Sequence, residues 1–429
     1  MSATTDTPPR PSAALRRARL GVFASFLACG FAVATWVVHI PRLMNNTGLN
    51  EAGLGVLLLV LGVGALLAMQ AGGSLAARWG SRPVQAWGTV VMFLGIVAVS
   101  LAPDPLWLGA GLMLFGIGNG ALDLAMNEQA VRVEQAYGRP IMSAFHAFFS
   151  VGGALGALLG GTLLALDLPT VVSMSIMGAV CAAVALGALP VLMPSHAAVA
   201  AARGEDPALA AAAPAPERSH VLRLGLVLGL LAFAFFLAEG TVNDWSSRHA
   251  VEHFGTSESL AAAAYGTFST AMTIGRLCAD RVAGRFGAGA VVRYGSLIAA
   301  VGLLGVVFLP SFGWAVVGWG LYGIGLSGIV PQLFTAAGSL VPGPRGAVVL
   351  ARIVGAGYVG MLAGPAIVGG LAGLVGLNDA LLLPVVLCLI GCALSFTLRL
   401  GGPVATGAST QGTTAGPRQG ADAQDASQG

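Results

Sequence analysis

Runs of about twenty apolar residues recur along the whole chain, from Leu20–Ile40 to Leu381–Leu400. Each is long enough to cross about 30 Å of hydrocarbon as a helix. Lipid offers no partner to exposed backbone groups, so only helices or closed barrels can span it, and continuous rather than alternating hydrophobicity selects helices. Only 9% of the residues are charged and 56% are hydrophobic, which leaves too little polar surface to cover a water-soluble particle. Spans are expected near 19–41, 52–77, 84–102, 105–128, 141–165, 169–192, 222–247, 259–280, 289–308, 311–337, 347–372 and 378–398. The 63 glycines then read as close helix packing rather than looseness. The five cysteines all fall inside apolar runs and read as packing thiols.

The chain contains no lysine, so its 21 cationic residues are all arginines. Only Arg42 and Arg248 fall on one side of the expected topology, which leaves 19 of the 21 on the other. The positive-inside rule therefore places both termini in the cytoplasm of a multi-pass protein of the inner or plasma membrane. The arginines follow the loops without clustering, so nucleic acid is not an expected partner. Residues 1–14 and 401–429 lack apolar periodicity and are expected to be disordered tails. Residues 194–220, rich in alanine and proline, read as a cytoplasmic linker between a bundle over 15–193 and a second over 221–400.

The two halves repeat each other. Val151-Gly152-Gly153-Ala154-Leu155-Gly156 matches Val359-Gly360-Met361-Leu362-Ala363-Gly364 at a spacing of 208, and Gly116-Ile117-Gly118 recurs as Gly323-Ile324-Gly325 at 207. The expected fold is all-α, with twelve transmembrane helices in two pseudo-symmetric six-helix bundles around a site at the bilayer midplane. A monomer is expected.

Gly275-Arg276-Leu277-Cys278-Ala279-Asp280-Arg281, followed by Arg285, resembles the cytoplasmic loop signature of the major facilitator superfamily. Gly73-Ser74-Leu75-Ala76-Ala77-Arg78, followed by Arg82, is its first-half counterpart, with Ala77 where the family usually has aspartate. The resemblance implies a charge-linked gating latch at Asp280, Arg281 and Arg285, with Arg78 and Arg82 as weaker members. Asn119 through Glu134, continued by Gly138-Arg139-Pro140 and Ser143-Ala144-Phe145-His146, resembles the YbjJ-like branch of inner-membrane transporters. A more distant likeness is to the fucose–proton symporters, whose fourth-span carboxylate Asp123 could match. Their first-span carboxylate has no counterpart between Leu20 and Ile40. Gly360 to Pro365 is similar to a glycine–proline motif of antiporters, but that motif belongs in the fifth span, where Ala157 replaces the proline.

Charged groups at bilayer depth cost at least about 2.5–3.5 kcal/mol, so they face a cavity or a partner. Asn119, Asp123 and Asn127 recur every four residues and share one face of the fourth helix, which is read as a cavity face; a packing ladder is the other reading. Asp123 is the first candidate for proton coupling, with Glu239 and His146 behind it. Glu128 and Arg132 are spaced for an intrahelical ion pair. Trp36 and His39 on the first helix, and Asn243 and Trp245 on the seventh, sit at matching depth, and the two indoles are 209 residues apart. Aromatic faces with polar neighbours suit a sugar or amphiphile, although an interfacial aromatic belt has the same composition. Gln332 after Pro331 is the further cavity candidate, ahead of Tyr265, Tyr322 and Tyr358.

The expected function is secondary active transport of a small polar solute, a sugar or related metabolite, by alternating access with proton coupling. Proton-antiport export of drugs or metabolites is the alternative, and a non-transporting receptor of the same fold a further one. No phosphate-cradling loop, metal-type spacing or convergent nucleophile–base set occurs, so no cofactor, metal or enzymatic activity is expected.

Overall fold

The computed structural model describes residues 11–202 and 217–396. Among them no strand occurs, and the long helices follow the apolar runs. We number these α1 (Ala13–Thr47), α2 (Glu51–Trp79), α3 (Ser81–Ser100), α4 (Pro105–Tyr137), α5 (Met142–Ala165) and α6 (Thr170–Ala188) in the first half. The second half contributes α7 (Arg218–Phe254), α8 (Glu258–Phe286), α9 (Ala288–Phe308), α10 (Phe312–Leu326 continued by Ile329–Ser339), α11 (Arg345–Val375) and α12 (Leu377–Ala380 continued by Leu382–Ser395). Helix starts follow their capping residues: Ser12, Asn50 and Asp104 each accept from the backbone N–H three residues on. A short helix, His196–Ala202, follows α6 where a linker is expected; the rest of that linker up to residue 216, most of the N-terminal tail and the whole C-terminal tail lie outside the described residues.

Eleven helices among the described residues are long and apolar enough to cross a membrane. The twelfth expected span, α8, is long enough but more polar, because it carries Arg276, Asp280, Arg281 and Arg285. It packs like the others, between α7 and α9, against α10, and against α5 of the first half.

The pairing of helices shows the repeat directly. In the first half α1 packs on α5 and α6, and α4 on α2 and α3; in the second α7 packs on α11 and α12, and α10 on α8 and α9. The halves meet along α2 with α11 and α5 with α8. Gly152 and Gly360, equivalent in the repeat, serve the same purpose: a Cβ on Gly152 would overlap the Leu27 carbonyl of α1, and one on Gly360 the Phe233 carbonyl of α7. These helices touch backbone to backbone, which only glycine permits.

Candidate functional site

Polar side chains from both halves converge between the bundles. On α4, the Asn127 amide donates to the Asp123 carbonyl at 2.9 Å and to its Oδ1 at 3.4 Å, and Asn119 accepts from the Cys29 thiol of α1 at 3.5 Å. All three α4 side chains are buried. The partner of the Asp123 carboxyl from the other half is the Tyr358 phenol of α11. One rung of the packing ladder, Asn127 to Asp123, is present, while Asn119 turns to Cys29 and the Asp123 carboxyl meets a hydroxyl from the opposite bundle.

One turn nearer the other pair of contact helices, Arg276 of α8 joins three elements. Its Nη2 pairs with Glu239 of α7 at 3.3 Å and its Nη1 donates to the Ser150 hydroxyl of α5 at 2.9 Å. His146, one turn before Ser150, lies against the rings of Phe26 and Phe334, with centroids 5.0 and 5.8 Å away. Its Nε2 is buried without a hydrogen-bond partner, as are Asn127 Oδ1 and Gln332 Nε2. Asp123, Asn119, His146 and Glu239 thus each meet a group from another helix, and Asn127 bonds Asp123 within α4.

The two halves are also joined at the arginine-rich face. The first four N–H groups of a helix have no intrahelical partner and must be satisfied from outside. At the start of α5 the Ile141 and Met142 N–H groups donate to Glu134 Oε2, both at 2.7 Å, and Ser143 and Ala144 donate to the two oxygens of Asp280 at 2.9 and 2.7 Å. Glu134 comes from the same half and Asp280 from the other. The free oxygen of Glu134 accepts from Thr335 of α10 at 2.6 Å, and Gln135 donates to Ser339 at 3.1 Å, which ties α4 to α10 as well. Gln70 of α2 donates to the Ala351 carbonyl of α11 at 3.0 Å. These cross-bundle bonds all lie on the arginine-rich half of their helices.

Of the five residues expected in the gating latch, Asp280 crosses between halves. Arg281 and Arg285 are exposed; the first bonds the Leu277 carbonyl of its own helix and the second lies over Phe286. Arg78 is exposed over Trp79, and Arg82 donates to the Pro190 and Leu192 carbonyls of its own half. The cation that approaches Asp280 is Arg19 of α1. In the first half, where Ala77 stands in place of aspartate, Glu128 is the buried acid near the α2–α3 turn. It accepts from Ser81 and pairs with Arg132 at 3.6 Å, while Gln129 holds Ser81 at 2.7 Å and Met193 at 3.0 Å.

Three cavity candidates sit elsewhere. His39 is fully buried within the first bundle, with one ring nitrogen on the Thr35 carbonyl and the other on the Ser173 hydroxyl of α6, both at 2.8 Å. Trp245 packs on Gly369 of α11 and on Leu237, Val368 and Ala380, with Arg248 over its ring. Trp36 is buried in the main apolar core. The Asn243 side chain lies outside the described residues. A cavity of about 190 Å³ opens at the arginine-rich face, between α4 and the α10–α11 turn, lined by Glu128, Arg132, Gln135, His196 and Ser339. It is separate from the Asp123 cluster.

Glu134, Arg276 and Ser150 are the contributors that sequence reasoning passed over as site residues, whereas Tyr358 is among its lesser cavity candidates. Arg276 carried a usable signal, since it is an arginine inside an expected span. The sequence matches the profile of the Major Facilitator Superfamily over residues 20–349 and 245–419. The chain belongs to that superfamily. An uncharacterised transporter of this superfamily from Yersinia pestis is 38% identical over 83% of this chain and 89% of its own. Among solved structures, the fucose:proton symporter of E. coli matches with a TM-score of 0.73 at 16% identity, covering 88% of this chain and 97% of the symporter. A human organic anion transporter matches with a TM-score of 0.70 at 18% identity, over 91% of this chain and 100% of its own. At these identities the structures establish the shared fold. This member of the Major Facilitator Superfamily is a multi-pass membrane protein and a secondary transporter.

Proposed function

We propose that this superfamily member carries a small polar solute by alternating access, driven by protons, with Asp123 as the coupling carboxyl. The observation that carries the reading is the contact of Asp123, a buried acid on α4, with a hydroxyl of α11 in the opposite bundle. A carboxyl held between two bodies that move past each other exchanges its surroundings in each half-cycle. Its charged form is disfavoured whenever the cavity closes and water leaves, so a proton taken up in one state is released in the other. The likeness to the fucose:proton symporter of E. coli supports this reading at the level of the fold.

The arginine-rich face is assigned to the cytoplasm, with both termini there. The cross-bundle bonds of Asp280, Glu134 and Gln135 then hold the two bundles together on the cytoplasmic side. The chain divides into bundles over 15–193 and 221–400, and trimming the terminal tails leaves transport intact. The test is accumulation of radiolabelled solute, chosen by thermal shift across a solute panel, in proteoliposomes with an imposed inward proton gradient. Accumulation that collapses with a protonophore supports the proposal; accumulation unchanged by the protonophore refutes proton coupling.

A further inference from the structure

We infer that the solute is an anion, a small molecule bearing a carboxylate, and that Arg276 is the residue that binds it. The inference rests on the reading of this chain as a carrier whose solute enters between the bundles, and it names the chemical class of that solute.

A guanidinium presents its N–H groups in a planar fork that matches a carboxylate through two parallel bonds. In Arg276 the Nη1 is used by Ser150, the Nη2 holds a single oxygen of Glu239 at 3.3 Å, and the Nε is buried without a partner. The side-on edge formed by Nε and Nη2 is thus only half filled, by a contact longer than the 2.7–2.9 Å of a good charge-assisted bond. The Arg276 side chain is 11% exposed, whereas that of Glu239 is 27% exposed. An ion pair that served only to hold α7 to α8 would use both prongs and bury both partners. Here the cation is enclosed, its fork is incomplete, and its counter-ion is the more exposed partner. Glu239 stands in for a carboxylate that arrives from outside.

The surroundings suit the same ligand. His146, within electrostatic reach of Arg276, offers an unpartnered Nε2, and the rings of Phe26 and Phe334 flank it. A solute with an acidic end and a hydrogen-bonding or apolar body would place the acid on Arg276 and the body between these rings. The charge balance gives a second consequence. Glu239 and Arg276 are neutral together, so an added anion leaves one uncompensated negative charge unless a proton comes with it. The groups that face Glu239 are Arg276 and Tyr265 of α8 and Tyr322 of α10; Arg276 also faces His146, and Asp123 faces Tyr358. Glu239 and the carboxylate of the solute compete for the same edge of the Arg276 guanidinium, so the solute binds as Glu239 is displaced from it.

The test uses the purified full chain and matched acid and neutral probes: galacturonate with galactose, gluconate with glucitol, lactate with propane-1,2-diol, and benzoate with benzyl alcohol, at constant ionic strength. At least one acid is expected to raise the melting temperature where its neutral partner does not. Arg276→Gln is expected to weaken that binding by at least about 30-fold, with Arg276→Lys losing less. Glu239→Gln removes the internal competitor and is expected to tighten acid binding; it also serves if Arg276→Gln fails to fold. The inference is overturned if no acid binds, if neutral partners bind equally, or if Glu239→Gln leaves acid affinity unchanged. Transport of a neutral solute undiminished in Arg276→Gln would likewise overturn it while leaving the carrier reading in place. An acid that binds through Arg276 but never crosses a proteoliposome membrane would support the site and count against the carrier.

Discussion

Replacing Asp280 by alanine should release the arginine-rich face. The carboxylate takes two backbone N–H groups of α5 across the bundle boundary, at 2.9 and 2.7 Å, and sits on the positive end of that helix. Bonds to a charged acceptor contribute roughly 1.5–3 kcal/mol each, and water partly replaces them once the halves part. A net change of about 2–3 kcal/mol in the access equilibrium follows, a factor of about 30–150 in the population of the state open on that face. Glu134 still satisfies Ile141 and Met142 in the variant, so the start of α5 is kept. Asp280→Asn retains one acceptor oxygen without the charge and should fall between. The assay is pulsed electron spin resonance between labels at Ala136→Cys and Arg345→Cys, both exposed on that face, with Cys278→Ser to remove the exposed native thiol. The parent should show one short distance and Asp280→Ala a second, longer population of comparable size. An unchanged distribution in a folded Asp280→Ala protein would refute the latch.

Other outcomes follow from neighbouring contacts. Cysteines at Gln135 and Ser339, whose side chains now bond at 3.1 Å across the halves, should oxidise to a disulfide that stops transport until it is reduced; uninterrupted transport with the bridge formed would contradict the rocking motion. Gly360→Ala should cost about 1–3 kcal/mol by overpacking against Phe233, whereas Gly370→Ala, with open space around it, should melt with the parent; equal melting would remove the backbone-contact argument. His249 lies beyond the apolar stretch Arg218–Val242, and burial above all holds its imidazole below the usual range, aided by His253, while the bond to Asn378 opposes this. Its folded-state pKa is depressed, so its contribution to stability is complete above the unfolded value of about 6.5 and is lost as pH falls below it. The melting temperature should therefore drop between pH 7 and 5.5, and less steeply in His249→Gln.

Much of the architecture was legible because lipid imposes it locally. Each apolar run declared its own helix, and the spacing of Gly152 and Gly360 located the same crossing in both halves. The exceptions are informative. The α8 helix falls short of the apolarity of the others because it carries Arg276 and Asp280, which meet α5 of the first half, and Arg281 and Arg285, which are exposed. The break in α10 at Ser327 and Gly328 carries no proline and was not visible as a boundary. At the site, the four-residue spacing on α4 revealed Asn119, Asp123 and Asn127, because helical neighbours are set by local geometry. Their partners are not local. Tyr358 is 235 residues from Asp123, and Asp280 caps a helix that begins 138 residues earlier, so nothing in the periodicity of either segment announces the pairing. The same holds for His39: its depth along α1 was legible, but its bond to Ser173 on α6 within the first bundle was not.

The role of Asp123 is tested most directly by comparing two modes of transport in Asp123→Asn proteoliposomes. The asparagine keeps the size of the side chain and cannot take up or release a proton at neutral pH. Counterflow exchange of the solute, which needs only alternating access, should continue at a rate near that of the parent. Accumulation under an imposed proton gradient should be abolished. Accumulation by Asp123→Asn equal to that of the parent under the same gradient would contradict the coupling role of Asp123.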